Sequence, residues 1–377
     1  MSNFYEKYDW PAMLSRHAAS SCNIAAYHNI LCPKADYPYF LDRYLALPLL
    51  KRLSGVGLLC GTDWTPLYKN RFYYSRLDHS LGVALIVWHF THDKAQTLAG
   101  LLHDVSTPVF SHVSDFRKGD ALTQTATEAP TATMLRRDQA LNELLKEDGL
   151  TCSQVEDYHL YPIADNEIPQ LSADRLEYMF PSGLALDGSW TLEQIRRCYE
   201  DLEIFKNEEA RDELGFKTLE TAELYCEHFC MIGHILQLNE NKLALHLLGQ
   251  IMNLAEEQNI LSENDFMSLS EQEIITKLDQ KLTQNNRGKL SRLYRTFRTM
   301  TKIEHTSIPL DSEKYYCLKL DVKQRYINPL VKIEKNNENS QQAVRLSELS
   351  AKAKKIIEDF KTYRDSDYGC VRLVAFE

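Results

Sequence analysis

Residues 99–112 read AGLLHDVSTPVFSH, an apolar run that ends in two adjacent metal-ligating side chains, His103 and Asp104. A buried charge at the end of such a run is strongly unfavourable unless a partner offsets it, and a divalent metal ion is a suitable partner. His79, in RLDHSLGVA near the start of another apolar segment, is a third candidate ligand, because two short antiparallel helices would bring it to His103 and Asp104. Asp174, at the turn into LSADRLEYM, is the best candidate for a fourth. Two imidazoles and two carboxylates suit one borderline or hard divalent ion, such as Mn²⁺, Fe²⁺, Zn²⁺, Ni²⁺ or Mg²⁺. Positions left open on such an ion admit water and a phosphate oxygen, which is the arrangement of Lewis-acid hydrolysis. Taken singly, His79 reads as a structural histidine and His103-Asp104 as a helix C-terminus facing its dipole. The ordered set is what points to metal.

The elements that must position these residues read as mainly helical. LDRYLALPLLKRLSGVGLL has helical spacing broken at Pro48, and LDHSLGVALIVWHF reads as a buried helix. The THD at 91–93 offers caps for the next helix, KAQTLAGLLHD. Residues 115–133 are polar and Thr-rich and are expected to form a long surface loop, a flap beside the site. Helical patterns resume at MLRRDQALNELLKEDG and LSADRLEYMF, and residues 192–259 read as mostly helical. KYYCLKLDVKQRYINPLVKI and CVRLVAF read as strands, separated by the Lys-rich helix LSELSAKAKKIIEDFKTYR. The expected organisation is an irregular lead-in over 1–40, a helical core over 41–259 and a smaller α+β region over 260–377.

Composition narrows the class. The chain has 377 residues, 44% of them hydrophobic, and a formal net charge of −10. That acidic balance argues against non-specific nucleic-acid binding and leaves room for a local basic pocket for a phosphorylated small molecule. No signal pattern opens the sequence and no run is long and apolar enough for a membrane span, so a cytoplasmic protein is expected. Nine scattered cysteines suit reduced thiols better than disulfides. Cys226, Cys230 and His234 share one helix face, where small core residues are a better reading than a zinc site. KAKK at 352–355 reads as a solvated face or an oligomer contact, and a homo-oligomer is expected.

RLDHSLGVA followed by LLHDVSTPVFSH resembles the HD-domain metal-dependent phosphohydrolase superfamily, with its H…HD…D ligand set. NRFYYSRLDHSLGV, HDVSTPVFSH and Asp174-Arg-Leu-Glu-Tyr178 occur in the order found in its deoxynucleoside triphosphate triphosphohydrolase branch. The likeness covers roughly residues 40–255 and is weaker at KQRYINPLV. It implies an HD-domain helical core with one divalent metal on His79, His103, Asp104 and Asp174. It further implies phosphate contacts from Arg76 and Arg175, a substrate-bordering Tyr178, and catalysis by His112 with Asp115. Four positions depart from the branch: Thr107 and Thr127 stand where it has histidines, Leu58 where it has a glutamine and Ser182 where it has an aspartate. The implied function is hydrolysis of a phosphate ester or anhydride, in a nucleotide, by a metal-activated water. The alternative is a catalytically weak HD-domain protein that senses a nucleotide.

Overall fold

A computed structural model of the chain describes residues 20–122, 130–282, 288–333 and 342–375. The architecture is mainly helical with a small sheet portion. Helix α1 (Ser20–Leu31) replaces part of the irregular lead-in expected over 1–40, and its Ile24, Tyr27 and Leu31 sit in the core. Helix α2 (Arg76–Thr91) begins at a reciprocal cap: Ser75 Oγ accepts from the Asp78 amide and the Asp78 carboxylate accepts from the Ser75 amide. From Arg76 to Val87 every residue of α2 is buried, as an apolar-all-round helix requires. Asp93 caps α3 (Lys94–Leu102), which the short turn folds back along α2.

The long loop expected over 115–133 is shorter than the sequence suggested. Helix α4 (Val113–Arg117) overlaps its start and α5 (Thr131–Arg137) its end, and both bury apolar side chains. Residues 123–129, including Thr127, lie outside the described residues. Helix α6 (Gln139–Glu147) follows, capped by Asp138, and then α7 (Ala173–Ser182), capped by Ser172. The latter carries Asp174 in its first turn.

The helical reading of 192–259 fails between α8 (Leu192–Glu200) and α9 (Leu219–Gln237), where a hairpin intervenes. Strands β1 (Leu202–Lys206) and β2 (Asp212–Phe216) pair antiparallel around a turn in which Asn207 Oδ1 accepts from the amides of Glu209 and Arg211. An asparagine bonding its own backbone in this way favours a turn over continued helix. Helix α10 (Asn239–Glu257) then opens the second half of the core, joined by α11 (Glu271–Lys281) and α12 (Lys289–Thr299).

Strands β3 (Glu304–Thr306), β4 (Tyr315–Leu318), β5 (Leu330–Lys332) and β6 (Ala343–Arg345) precede α13 (Ala351–Thr362) and β7 (Tyr368–Arg372). They form two sheets, of order β1-β2-β5-β6 and β3-β7-β4. The β2–β5 pair is parallel and joins the body to the C-terminal region across residue 260. A buried bidentate ion pair fastens the same junction: Arg345 of β6 meets Glu213 of β2 at 2.6 and 3.0 Å. The apolar core accordingly divides into two clusters, each drawing side chains from both sides of that residue.

The expectation of reduced cysteines fails at one pair. Antiparallel register sets Cys317 of β4 opposite Cys370 of β7, and the two are disulfide-bonded. Cys226 and Cys230 are buried free thiols, and His234 packs on Phe360 and Tyr363, so the three do not form a metal-type cluster. No helix among the described residues is long and apolar enough to cross a membrane.

Candidate metal centre and catalytic cavity

The cap at Ser75 places Arg76 and His79 three residues apart on the first turn of α2, hence on one face. His103 ends α3, with Asp104 beside it. The His103 Nδ1–H donates to the Gly100 carbonyl at 2.7 Å, a contact that fixes the tautomer and leaves Nε2 for the site. The ring nitrogens of His79 and His103 and a carboxylate oxygen of Asp104 lie within 4.8 Å of one another, all buried. Asp174 Oδ1, from α7, stands 3.1 Å from His79 Nε2 and 3.8 Å from His103 Nε2. Asp104 Oδ2 is 3.7 and 3.5 Å from the same two nitrogens. Two imidazoles and two carboxylates with this convergence fit a divalent ion.

The residues behind this cluster were not recognised from sequence. His79 Nδ1 is bonded to Glu177, whose carboxylate is fully buried and also accepts from the Tyr74 hydroxyl at 2.6 Å. Glu177 stands one helical turn after Asp174, so a single helix delivers both a candidate ligand and the carboxylate that orients another. Thr107, noted as a departure, donates from Oγ1 to Asp104 Oδ1 at 2.8 Å. Arg76 Nη1 holds the other oxygen at 2.8 Å, while its Nε donates to Ser111 Oγ at 3.0 Å.

These partners set the charges. Burial opposes ionisation of Asp104, but the Arg76 guanidinium and the neighbouring imidazoles hold its carboxyl well below the usual carboxylate range. Asp174, likewise buried, is pulled down to about 2 by its hydrogen bond and charge contact with His79. Burial would lower His79, yet the Glu177 and Asp174 carboxylates push it up to about 10.

His112 follows two consecutive non-glycine residues at positive φ, Phe110 at 60° and Ser111 at 52°. Such backbone costs roughly 1–3 kcal/mol per residue and persists where the surroundings over-determine it. Here Phe110 is fully buried, and Ser111 Oγ donates to the Gly57 carbonyl while accepting from Arg76. The strained turn leaves His112 at the start of α4, its Nδ1 2.9 Å from Asp115 Oδ2. Asp115 is fully buried, and its other oxygen has no hydrogen-bond partner among the described residues. Burial lowers the His112 imidazolium and Asp115 opposes that shift.

One cavity brings together Arg76, His79, His103, Asp104, His112, Asp174 and Tyr178. The Tyr178 hydroxyl is buried without a hydrogen-bond partner among the described residues. Leu58 and Ser182 also line it. Arg175 is not brought there. Its guanidinium donates to Asp165 Oδ1 at 2.8 Å, to the Gln170 carbonyl at 2.9 Å and to Asn166, tying down the loop before α7. A helical pattern places residue 175 near 174 and 178 but does not say which way its long side chain turns. A second cluster, Glu240, His305 and Asp365, lies partly exposed; both ring nitrogens of its histidine are engaged by carboxylates, at 2.9 and 3.1 Å.

No protein-family model matches the chain. A metal-dependent phosphohydrolase of Cordyceps militaris is 28% identical over 131 residues, which is 35% of this chain and 37% of the relative's length. A solved phosphohydrolase structure from Bacteroides thetaiotaomicron superposes with a TM-score of 0.53 at 15% identity, covering 87% of this chain and 94% of that one. A hypothetical protein from Aquifex aeolicus gives 0.53 at 16% identity, with 88% and 91% covered. The chain is thus similar in part of its sequence to a metal-dependent phosphohydrolase and shares its fold with a structure described as a phosphohydrolase.

Proposed function

We propose that the cavity is the active site of a metal-dependent phosphohydrolase of the HD type, acting on a phosphate ester or anhydride of a nucleotide. The observation that carries this reading is the shared cavity: the His79, His103, Asp104 and Asp174 donors and the His112–Asp115 pair line or flank the same space. What a bound divalent ion supplies is Lewis-acid polarisation of a phosphoryl oxygen and acidification of water. Glu177 and the Gly100 carbonyl orient the two imidazoles, while Thr107 and Arg76 hold the two oxygens of Asp104. His112, steadied through Nδ1 by Asp115, presents Nε2 as the proton donor to the leaving oxygen. The Tyr178 hydroxyl, which has no hydrogen-bond partner among the described residues, borders the substrate.

Leu58 and Ser182 line the cavity where the triphosphohydrolase branch has glutamine and aspartate. They cannot reproduce the hydrogen bonds that a glutamine and an aspartate offer to a sugar hydroxyl, so ordinary deoxynucleoside triphosphates are poor substrates relative to some other phosphorylated compound. The placement of Arg175 favours one second reading, a nucleotide-binding sensor with weak turnover.

The deciding experiment is a hydrolysis screen of Mn²⁺-loaded protein against nucleoside mono-, di- and triphosphates, with products identified. Turnover is expected, falling about a hundredfold in His112→Ala with metal retained, and metal is lost in the His103→Ala/Asp104→Ala double variant. Tight nucleotide binding without turnover would establish the sensor. Full metal content in the double variant would remove the assigned site.

A further inference from the structure

Of the two arginines that the family resemblance offers for phosphate contact, Arg76 is paired with Asp104 and Arg175 is turned into the loop before α7. The cavity contains a further pair of cations, Lys323 and Arg325. Both come from the segment between β4 and β5, which has no regular secondary structure. The two residues are separated by one position, and both line the cavity. Gln324 between them turns instead to the C-terminal end of α13.

The segment is held in place by packing and hydrogen bonds. Val322 and Ile327 are buried, the Lys323 amide donates to the Ala121 carbonyl at 3.3 Å, and Gln237 Nε2 donates to the Lys323 carbonyl at 3.0 Å. The positive charge of Arg325 is felt at His112, Tyr178 and Cys60, all of which line the cavity.

We infer that Lys323 and Arg325 are the phosphate-binding cations of this cavity, supplied by the C-terminal region in the role that the family resemblance implies for Arg175. The ligand class rests on the phosphohydrolase reading above. Its chemistry is that of a phosphate group: a guanidinium offers two parallel donors to two phosphate oxygens, and an ammonium adds a compact charge beside it. In a partly enclosed cavity such contacts are screened less than on an open surface. The site is then lined by residues of both core clusters, with the Lys323 backbone held at Ala121 and Gln237.

The test is calorimetric titration of inorganic phosphate into the full chain, with metal content and melting temperature measured on the same samples. Arg325→Gln is expected to weaken phosphate binding by about tenfold or more, the typical effect of losing a charge-assisted contact. Lys323→Gln should weaken it less, and Arg325→Lys should fall between wild type and Arg325→Gln, because it keeps the charge and loses the fork. Metal content is expected to be unchanged throughout, and the salt dependence of binding shallower in the double Gln variant. Wild-type affinity in the folded double variant, or no phosphate binding by the wild type, would overturn the inference. If unfolding of a Gln variant obscures the comparison, Arg325→Lys decides it, since full affinity there excludes bidentate recognition by Arg325. Phosphate binding that depends on this pair in a protein that hydrolyses nothing in the screen would remove the enzymatic reading and leave the cation pair standing.

Discussion

Replacing Gly82 by alanine would add one methyl group inside α2, directed at the carboxylate that holds His79. An ideal Cβ at residue 82 lies 2.7 Å from both Cγ and Cδ of Glu177, and closer still to Oε1. Glu177 is fully buried, so its carboxylate cannot swing out to solvent. One of its oxygens accepts from the Tyr74 hydroxyl at 2.6 Å and the other meets His79 Nδ1. Helix propensity alone favours alanine over glycine by about 1 kcal/mol. Against that, overpacking costs about 1–3 kcal/mol, and a displaced hydrogen bond to a charged group costs about 1.5–3 kcal/mol. The steric terms win, and Gly82→Ala should be destabilising by about 2–4 kcal/mol. Loss of the carboxylate behind a ligating histidine should also lower metal affinity by about 10- to 100-fold, although no ligand has been changed. Combining Gly82→Ala with Glu177→Asp shortens the side chain that the methyl meets, so the double variant should recover part of the loss, a coupling of about 1 kcal/mol. Urea unfolding gives the stabilities, and titration of Mn²⁺ against a competing chelator gives the affinities. If Gly82→Ala proves more stable than wild type and binds metal as tightly, helix propensity has won and the orienting role of Glu177 is wrong.

Two further outcomes test the environment of the site. His28 is buried with Nε2 3.1 Å from the Tyr74 hydroxyl, and burial pushes its pKa from 6.5 down to about 3. Above pH 6.5 both folded and unfolded states carry a neutral ring; below it only the unfolded chain takes up the proton, so stability falls as pH drops towards 3. The loss through this residue should reach about 2 kcal/mol at pH 5, and His28→Gln should flatten the difference between urea unfolding at pH 7 and pH 5. Equal pH dependence in the two proteins would show that His28 is protonated in the folded state. Arg175→Ala should destabilise by about 3 kcal/mol, because it leaves the mostly buried Asp165 carboxylate without its cation. A change below about 1 kcal/mol would mean that the loop before α7 does not depend on that pair.

The helices that carry the site were legible because their signals are local. Ser75, Asp93 and Ser172 each cap a helix through an amide within three residues of their own position, and the apolar runs behind them have helical length and period. Candidate ligands at the ends of those runs could therefore be named with their elements. The β1–β2 hairpin was not legible inside a helix-rich stretch, because the Asn207 turn that forms it is a short-range competitor with no period. Nor was the Cys317–Cys370 pairing, which depends on a strand register joining residues 53 positions apart.

The sequence by itself determined which chemistry was available: imidazoles and carboxylates at helix ends, in an order that two back-folded helices and a third can bring together. It could not determine what stands behind or opposite each of them. Glu177 backs His79 across 98 residues, Arg76 reaches Asp104 across 28, and Arg175 turns from the cavity to Asp165. Lys323 and Arg325 reach the cavity on a segment of the C-terminal region that is anchored at Ala121 and Gln237. A helix cap is satisfied within one turn of chain, so neighbours suffice to specify it. A buried charge is stable only beside its partner, and that partner is chosen by how whole elements pack.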